Sequence, residues 1–273
     1  MSYKLLNLAC GSKVSDYGDW INIDFKSPKP KVKEYNILNG LDFDDQFFDV
    51  VYSAQFIEHL TYKEAQKVLI DIARILKKGG FIRLVTPDLE ELSKNYIKYL
   101  EELKVNQDKL IEEKYDWIRL EIFDQIVRDF SGGETSSFLN NCENVTKEYI
   151  KNRLGYSGNN LLMRKDNKQK TNIKLGTLIK NFYKIPRKIN EKITSLTSSK
   201  NSLIGNFRKS GEVHRYLHDF YSLSRLLKKS GFVNIKRLDA YNSSIPSWSK
   251  YQLDIINNIV DAPLSLYIEA QII

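Results

Sequence analysis

An α/β fold, with a mostly parallel sheet, flanking helices and a largely helical insertion, is predicted by three features of these 273 residues. Short apolar runs alternate with a strongly periodic helix from Met1 to Glu90, and the same alternation resumes after Gly211. The stretch between them reads as long charged helices and polar loops without strand signals. At 42% apolar content, a chain of this length can bury a full core.

Leu5, Leu6 and Leu8 with Ala9 form the first buried strand, Ile21–Asp24 the second, and the brief apolar patch Tyr35–Leu38 the third. Phe48–Tyr52, FDVVY, is β-branched and aromatic enough for a central parallel strand. Thr61 and Glu64 make a capping box, and Ala65, Val68, Leu69, Ile72 and Leu76 recur at helical spacing, so a helix follows. Lys77, Lys78 and Gly79 predict its cationic last turn and its stop. Phe81–Val85 is the next strand, ended by Pro87. Helical, charged stretches then run to about Arg128. From Ser222, SLSRLLKKSGF predicts a capped helix stopped by Gly231, FVNIKRL a strand, and the terminal SLYIEAQII one more. Strands alternating with helices through short loops call for a sheet covered on both faces. The arrangement is Rossmann-like, with 1–90 and 211–273 forming one domain around the insertion 91–210.

The net charge of +8 is unevenly spread. Between Arg164 and Lys209 thirteen Lys or Arg face only Asp166 and Glu191, a balance of +11 that leaves −3 for the rest. Such a segment reads either as a solvated, Lys-rich surface or as attraction to an anionic partner: a nucleotide-linked sugar, a phosphorylated glycan precursor, or a membrane face touched peripherally. No nucleic-acid motif accompanies the charge, so nucleic acid is not expected as a partner. Cys10 and Cys142 stand far apart, and neither has a second Cys or His at ligand spacing; a reduced compartment is expected, and zinc or another metal is not. No run of ~18 apolar residues and no basic, apolar leader is visible, so a cytoplasmic location is expected.

The functional signal sits at the ends of the first two strands. In an open parallel sheet, ligands bind beyond the carboxyl ends of the strands. Gly11 lets a ligand approach the backbone closely, and Asp24 can accept hydrogen bonds from both hydroxyls of a ribose. A dinucleotide site would want three spaced glycines and an acid ~20 residues further on. ACGSK offers one glycine, and Asp24 follows it by thirteen positions. A nucleoside without phosphates fits better, and S-adenosylmethionine is the common one.

On LNLACG, WINIDF, FFDVVYSAQFIEHL and LKKGGFIRLVTPDLEEL, the chain resembles the class I S-adenosylmethionine-dependent methyltransferases. More narrowly, on FDQIVRDFSGGE, GEVHRYLHDFYSL and SSIPSWSKYQLD, it is similar to a bacterial family often placed in surface-polysaccharide gene clusters. The resemblance implies that Ala9, Cys10 and Gly11 pass along the methionine portion of the cofactor and that Asp24 takes the ribose hydroxyls. It puts Phe25, Asn36 and Ile37 among the cofactor contacts, Asn36 replacing an acid near the adenine amino group. It also implies that Ser53, Ala54 and Gln55 line the sulfonium through backbone carbonyls. The activity implied is O-methylation of a sugar or phosphate-bearing precursor of a capsule or lipopolysaccharide. N- or carboxyl-methylation of a small metabolite or protein is a second reading, and a catalytically inactive binding protein on the same fold a third.

Methyl transfer from a sulfonium is an in-line displacement, which needs alignment above all, and a hydroxyl acceptor also needs a base. His214 is the first candidate base, in GEVHRYLHDF where the chain returns from the insertion; Asp88 after the fifth strand and His59 beside the cofactor are the others. Arg215 is placed to bind a phosphate or carboxylate on the acceptor. Arg128 and Glu134, around the SGG turn, are candidates for shaping the acceptor pocket, and Trp248 for stacking on a sugar face. Each has an ordinary alternative: His214 and His218, at i and i+4 on a short helix, can pack on one another, and Asp88 can stabilise a turn.

Overall fold

The computed structural model describes residues 3–11, 13–26, 30–171 and 200–273. The basic stretch from Arg164 to Lys209 therefore lies largely outside the described residues.

Seven strands form one sheet: β1 Leu5–Leu8, β2 Trp20–Asp24, β3 Val32–Glu34, β4 Phe48–Ala54, β5 Leu76–Pro87, β6 Val233–Leu238 and β7 Ser265–Gln271. Their order is β3-β2-β1-β4-β5-β7-β6. β1 to β5 pair in parallel, and β7 runs antiparallel to both of its neighbours. The order turns back between β1 and β4, so the loops leaving these two strands diverge and open a crevice at their carboxyl ends.

Side-chain alternation along the strands sends residues to two different cores. Leu6 and Leu8 of β1 and Val51 of β4 face helix α1, Tyr62–Ile75, and helix α7, Phe220–Lys229, in the larger cluster. Leu5, Val50 and Tyr52 face the opposite way, toward Trp248, Leu253 and Tyr267. β1, LLNL, is buried along its whole length because it is covered on both faces. α1 opens on the Thr61–Glu64 capping box and buries Ala65, Val68, Leu69 and Ile72 of the predicted stripe together with Ile75, while Leu76 falls in β5.

Three boundaries differ from the sequence reading. α1 stops at Ile75, four residues before Gly79, because Leu76 already pairs with Phe48 and the Gly79 amide donates to the Ile272 carbonyl at 2.7 Å. Lys-Lys-Gly-Gly is thus the start of β5, whose composition imitates a helix end. The third strand is Val32–Glu34, and within the patch Tyr35–Leu38 the chain turns into a short 3-10 segment, Ile37–Asn39, capped by the Asn36 side chain. His214 and His218 lie on an extended strap rather than on a helix.

Between β5 and the strap run helices α2 Leu89–Val105, α3 Lys109–Arg119, α4 Gly133–Asn141, α5 Asn144–Thr171, broken at Gly155, and α6 Lys200–Arg208. Tyr99, Trp117, Ile118, Leu139, Cys142 and Ile150 give these helices a core of their own. A π-turn, Leu120–Asp124, follows α3.

Candidate functional site

A cleft of about 1130 Å³ opens over the carboxyl ends of β1, β2 and β4. Ala9, Cys10, Gly11, Asp24, Phe25, Asn36, Ile37, Ala54 and Gln55 line it; Ser53 is buried in the sheet and does not. At the end of β1 the backbone enters the left-handed region at Ala9 (φ 54°) and Gly11 (φ 55°). A Cβ on Gly11 would meet nothing within 4 Å, so the glycine serves its backbone angle and leaves open space above the turn. The Gly11 amide donates to Asp24 Oδ2 at 2.7 Å, and the Lys26 amide to Oδ1 at 3.2 Å. An ionised carboxylate has about four acceptor sites, so Asp24 keeps capacity for two hydroxyls. Asn36 uses its side-chain oxygen to accept from the Leu38 amide at 3.1 Å. Gln55, at φ 54°, turns the end of β4 as Ala9 turns the end of β1.

Of the candidate bases, the cleft receives only His59. It sits on the 3-10 turn Ile57–His59, with Nδ1 3.3 Å from the Val213 carbonyl. A carbonyl only accepts, so Nδ1 carries the proton and Nε2 holds the lone pair. Burial lowers its pKa, which keeps the ring neutral. His214 packs behind it, 6% exposed, the two rings edge to face at 4.8 Å. Burial, with the nearby His59 and Arg128, pushes His214 down to about 3. His218 is fully buried, and neither ring nitrogen has a partner among the described residues.

The structure takes Asp88 away from the cleft. It is buried, caps α2 by accepting from the Glu90 amide at 3.0 Å, and pairs with Arg237 at 2.5 Å. A carboxylate so engaged stabilises the start of a helix instead of facing a substrate. Arg128 is likewise withdrawn: it pairs with Asp124 at 2.7 Å and Glu212 at 3.3 Å. Asp124 also accepts from the Glu134 amide at 2.8 Å, and a Cβ on Gly133 would run into its carboxylate. The FDQIVRDFSGGE stretch, with Arg128 and Glu134, is thus a knot that holds the strap. Trp248 is buried too, its Nε1 donating to Asp254 at 2.6 Å, so it offers no open face to a sugar.

Arg215 does line the cleft, exposed, its amide anchored to the Glu58 carbonyl at 2.7 Å. Beside it the cleft wall includes Arg208 and Lys209 from the end of the insertion. Sequence reading missed Lys13, whose ammonium pairs with Asp261 at the cleft wall, where Ser157 also donates to Asp261 at 2.6 Å. These three come from distant parts of the chain, and no local pattern links them.

Residues 23–84, from β2 into β5, match the family model of a methyltransferase domain. That match implies S-adenosyl-L-methionine as the cofactor, and the open turn at Gly11 with the spare acceptor sites of Asp24 fits its nucleoside. Among solved structures the chain is similar to an S-adenosylmethionine-dependent methyltransferase from Archaeoglobus fulgidus, at 11% identity and a TM-score of 0.41, over 99% of this chain and 86% of that one. It is also similar to a Thermotoga maritima protein described as a possible histamine N-methyltransferase, at 12% identity and 0.38, over 99% and 83%. A third is a methyltransferase from Clostridium acetobutylicum, at 17% and 0.29, over 33% and 45%. Likenesses at these scores say nothing of substrate or chemistry. The chain spans between 39% and 55% of the length of the first four structures it matches. No curated protein matches the sequence. Among the described residues no helix is long and apolar enough to cross a membrane.

Proposed function

We propose that the protein is an S-adenosylmethionine-dependent O-methyltransferase acting on an anionic sugar or phosphate-bearing precursor of a cell-surface polysaccharide. The observation that supports this reading is that one cleft is lined both by Gly11 and Asp24 and by His59, Arg215, Arg208 and Lys209. The cofactor supplies an activated methyl on a positively charged sulfur. Asp24 and the Gly11 turn hold the nucleoside, while Arg215 and its cationic neighbours bind the acceptor's anionic group. His59, neutral and with Nε2 free, takes the proton that a hydroxyl must lose; His214 stands behind it as its packing partner. The polysaccharide class follows the sequence resemblance alone.

The test is transfer of labelled methyl from the cofactor to nucleotide sugars and to capsule or lipopolysaccharide intermediates. Label should reach a hydroxyl, and His59→Ala should lose ~100-fold in turnover with its cofactor affinity kept. Cofactor binding without label in any such acceptor contradicts the acceptor class. Equal turnover in wild type and His59→Ala favours an amine acceptor that arrives deprotonated.

A further inference from the structure

Behind the cleft wall are two buried groups that the proposed proton transfer leaves unused. Glu58 is fully buried; its Oε2 accepts from Thr86 Oγ1 at 3.0 Å, and its Oε1 has no partner among the described residues. Nδ1 of His214 is equally without one. Leaving a buried polar atom unsatisfied costs about 1–3 kcal/mol, so each such atom in a native interior calls for an explanation. One ligand atom from each of Glu58, His59 and His214 lies within 4.8 Å of the other two.

The three residues are held by their backbones. The Glu58 carbonyl accepts from the amides of Arg215 and Tyr216 at 2.7 and 3.1 Å, and the His214 amide donates to the Gln125 carbonyl at 2.9 Å. The strap is thus stitched to the turn that carries Glu58 and His59. His59 donates a hydrogen bond from Nδ1–H to the Val213 carbonyl, the outer-shell arrangement by which metal-ligating histidines fix their tautomer.

We propose that Glu58, His59 and His214 form a site for a first-row divalent cation of the zinc type, open toward the cleft through His59. Two imidazoles and one carboxylate, with positions left for an outside oxygen, are a donor set that such ions take. Arg128, a cation close to His214, is already paired with Asp124 and Glu212. Metal–ligand distances of about 2.0–2.2 Å require the three side chains to close in by rotation. Proton transfer by His59 belongs to the metal-free site; with the cation bound His59 is a ligand, and the open position takes an oxygen in the cleft. The inference rests on the proposed function only for the identity of that oxygen. The residues come from a turn and a strap far apart in sequence, so ligand spacing along the chain gave no sign of them.

Metal binding is measured without cofactor or acceptor, so that its failure and the failure of methyl transfer stay distinct. Co²⁺ is titrated into the full chain, made without a histidine tag, and followed by visible absorption. Ligand-field bands should saturate at one equivalent, Zn²⁺ should displace them, and Glu58→Gln and His214→Ala should each weaken binding at least ~10-fold, a change of about 1.4 kcal/mol. Should a variant fail to fold, the wild type still decides: on adding Zn²⁺, the ring resonances of His59 and His214 should shift more than that of His218. No saturable band, a band unchanged in both variants, or no shift of the His59 and His214 signals overturns the proposal.

Discussion

The cleft at the carboxyl end of the sheet and the ionic cluster on its far face are both rich in charge, yet their charges are used in opposite ways. Arg83 is fully buried between Asp254, at 2.7 Å, and Glu269, at 2.6 Å. Its remaining donors reach the carbonyls of Asn242 at 3.2 Å and Asp239 at 2.7 Å. Asp254 also accepts from Tyr52 and Trp248, and Glu269 from Ser243 and Ser244. Little capacity is left over. In the cleft, Asp24 keeps acceptor sites, His59 keeps Nε2, and Arg215 is exposed. A saturated network fixes the fold, whereas an unsaturated one is available to a ligand.

The sharpest way to break this contrast is Arg83→Met, which leaves two buried carboxylates unpaired. It should cost about 3–5 kcal/mol, read as a lowered urea midpoint. Cofactor affinity of the folded fraction should not change. His59→Ala should do the reverse: the ~100-fold loss of turnover amounts to about 2.7 kcal/mol of barrier, with stability within ~1 kcal/mol of wild type. A matching loss of stability in both variants would erase the distinction.

His218 belongs to neither class, being sealed and yet unsaturated. Burial pushes it from 6.5 down to about 4. The folded state therefore favours the neutral ring, and as pH falls below 6.5 the unfolded chain takes up a proton that the folded chain refuses. Stability is full above pH 6.5 and falls toward pH 4 by up to about 1.4 kcal/mol per pH unit. Urea midpoints of wild type and His218→Leu at pH 7.5 and 5 should show a shallower acid slope in the variant; equal slopes would contradict the burial argument. The smallest effect belongs to Phe25, 70% exposed at the cleft lip. Phe25→Ala should weaken cofactor binding less than tenfold, under about 1.4 kcal/mol, with no change in midpoint.

Much of the sheet was legible because strand periodicity and the capping box at Thr61 are local signals, read within a few residues. The Gly11–Asp24 pairing was legible for the same reason, both residues being tied to the ends of adjacent strands. What stayed hidden depends on packing. Trp248 has the look of a sugar platform until Asp254 and Arg83 are seen around it, and Asp88 looks like a base until Arg237 arrives from β6. Lys77, Lys78 and Gly79 satisfy every compositional rule for a helix end, and only pairing with β4 and the C-terminal residues makes them strand. The apposition of His59 with His214 is set by the strap, whose path no local pattern specifies.

The central claim is that the Gly11 turn and the Asp24 carboxylate hold adenosine. Isothermal titration of S-adenosylmethionine into wild type and Asp24→Ala tests it most directly. One equivalent should bind the wild type, and the variant, losing charge-assisted hydrogen bonds of about 1.5–3 kcal/mol, should bind ~10- to 100-fold more weakly. Equal affinity in the two proteins, or no binding to the wild type, would contradict the account.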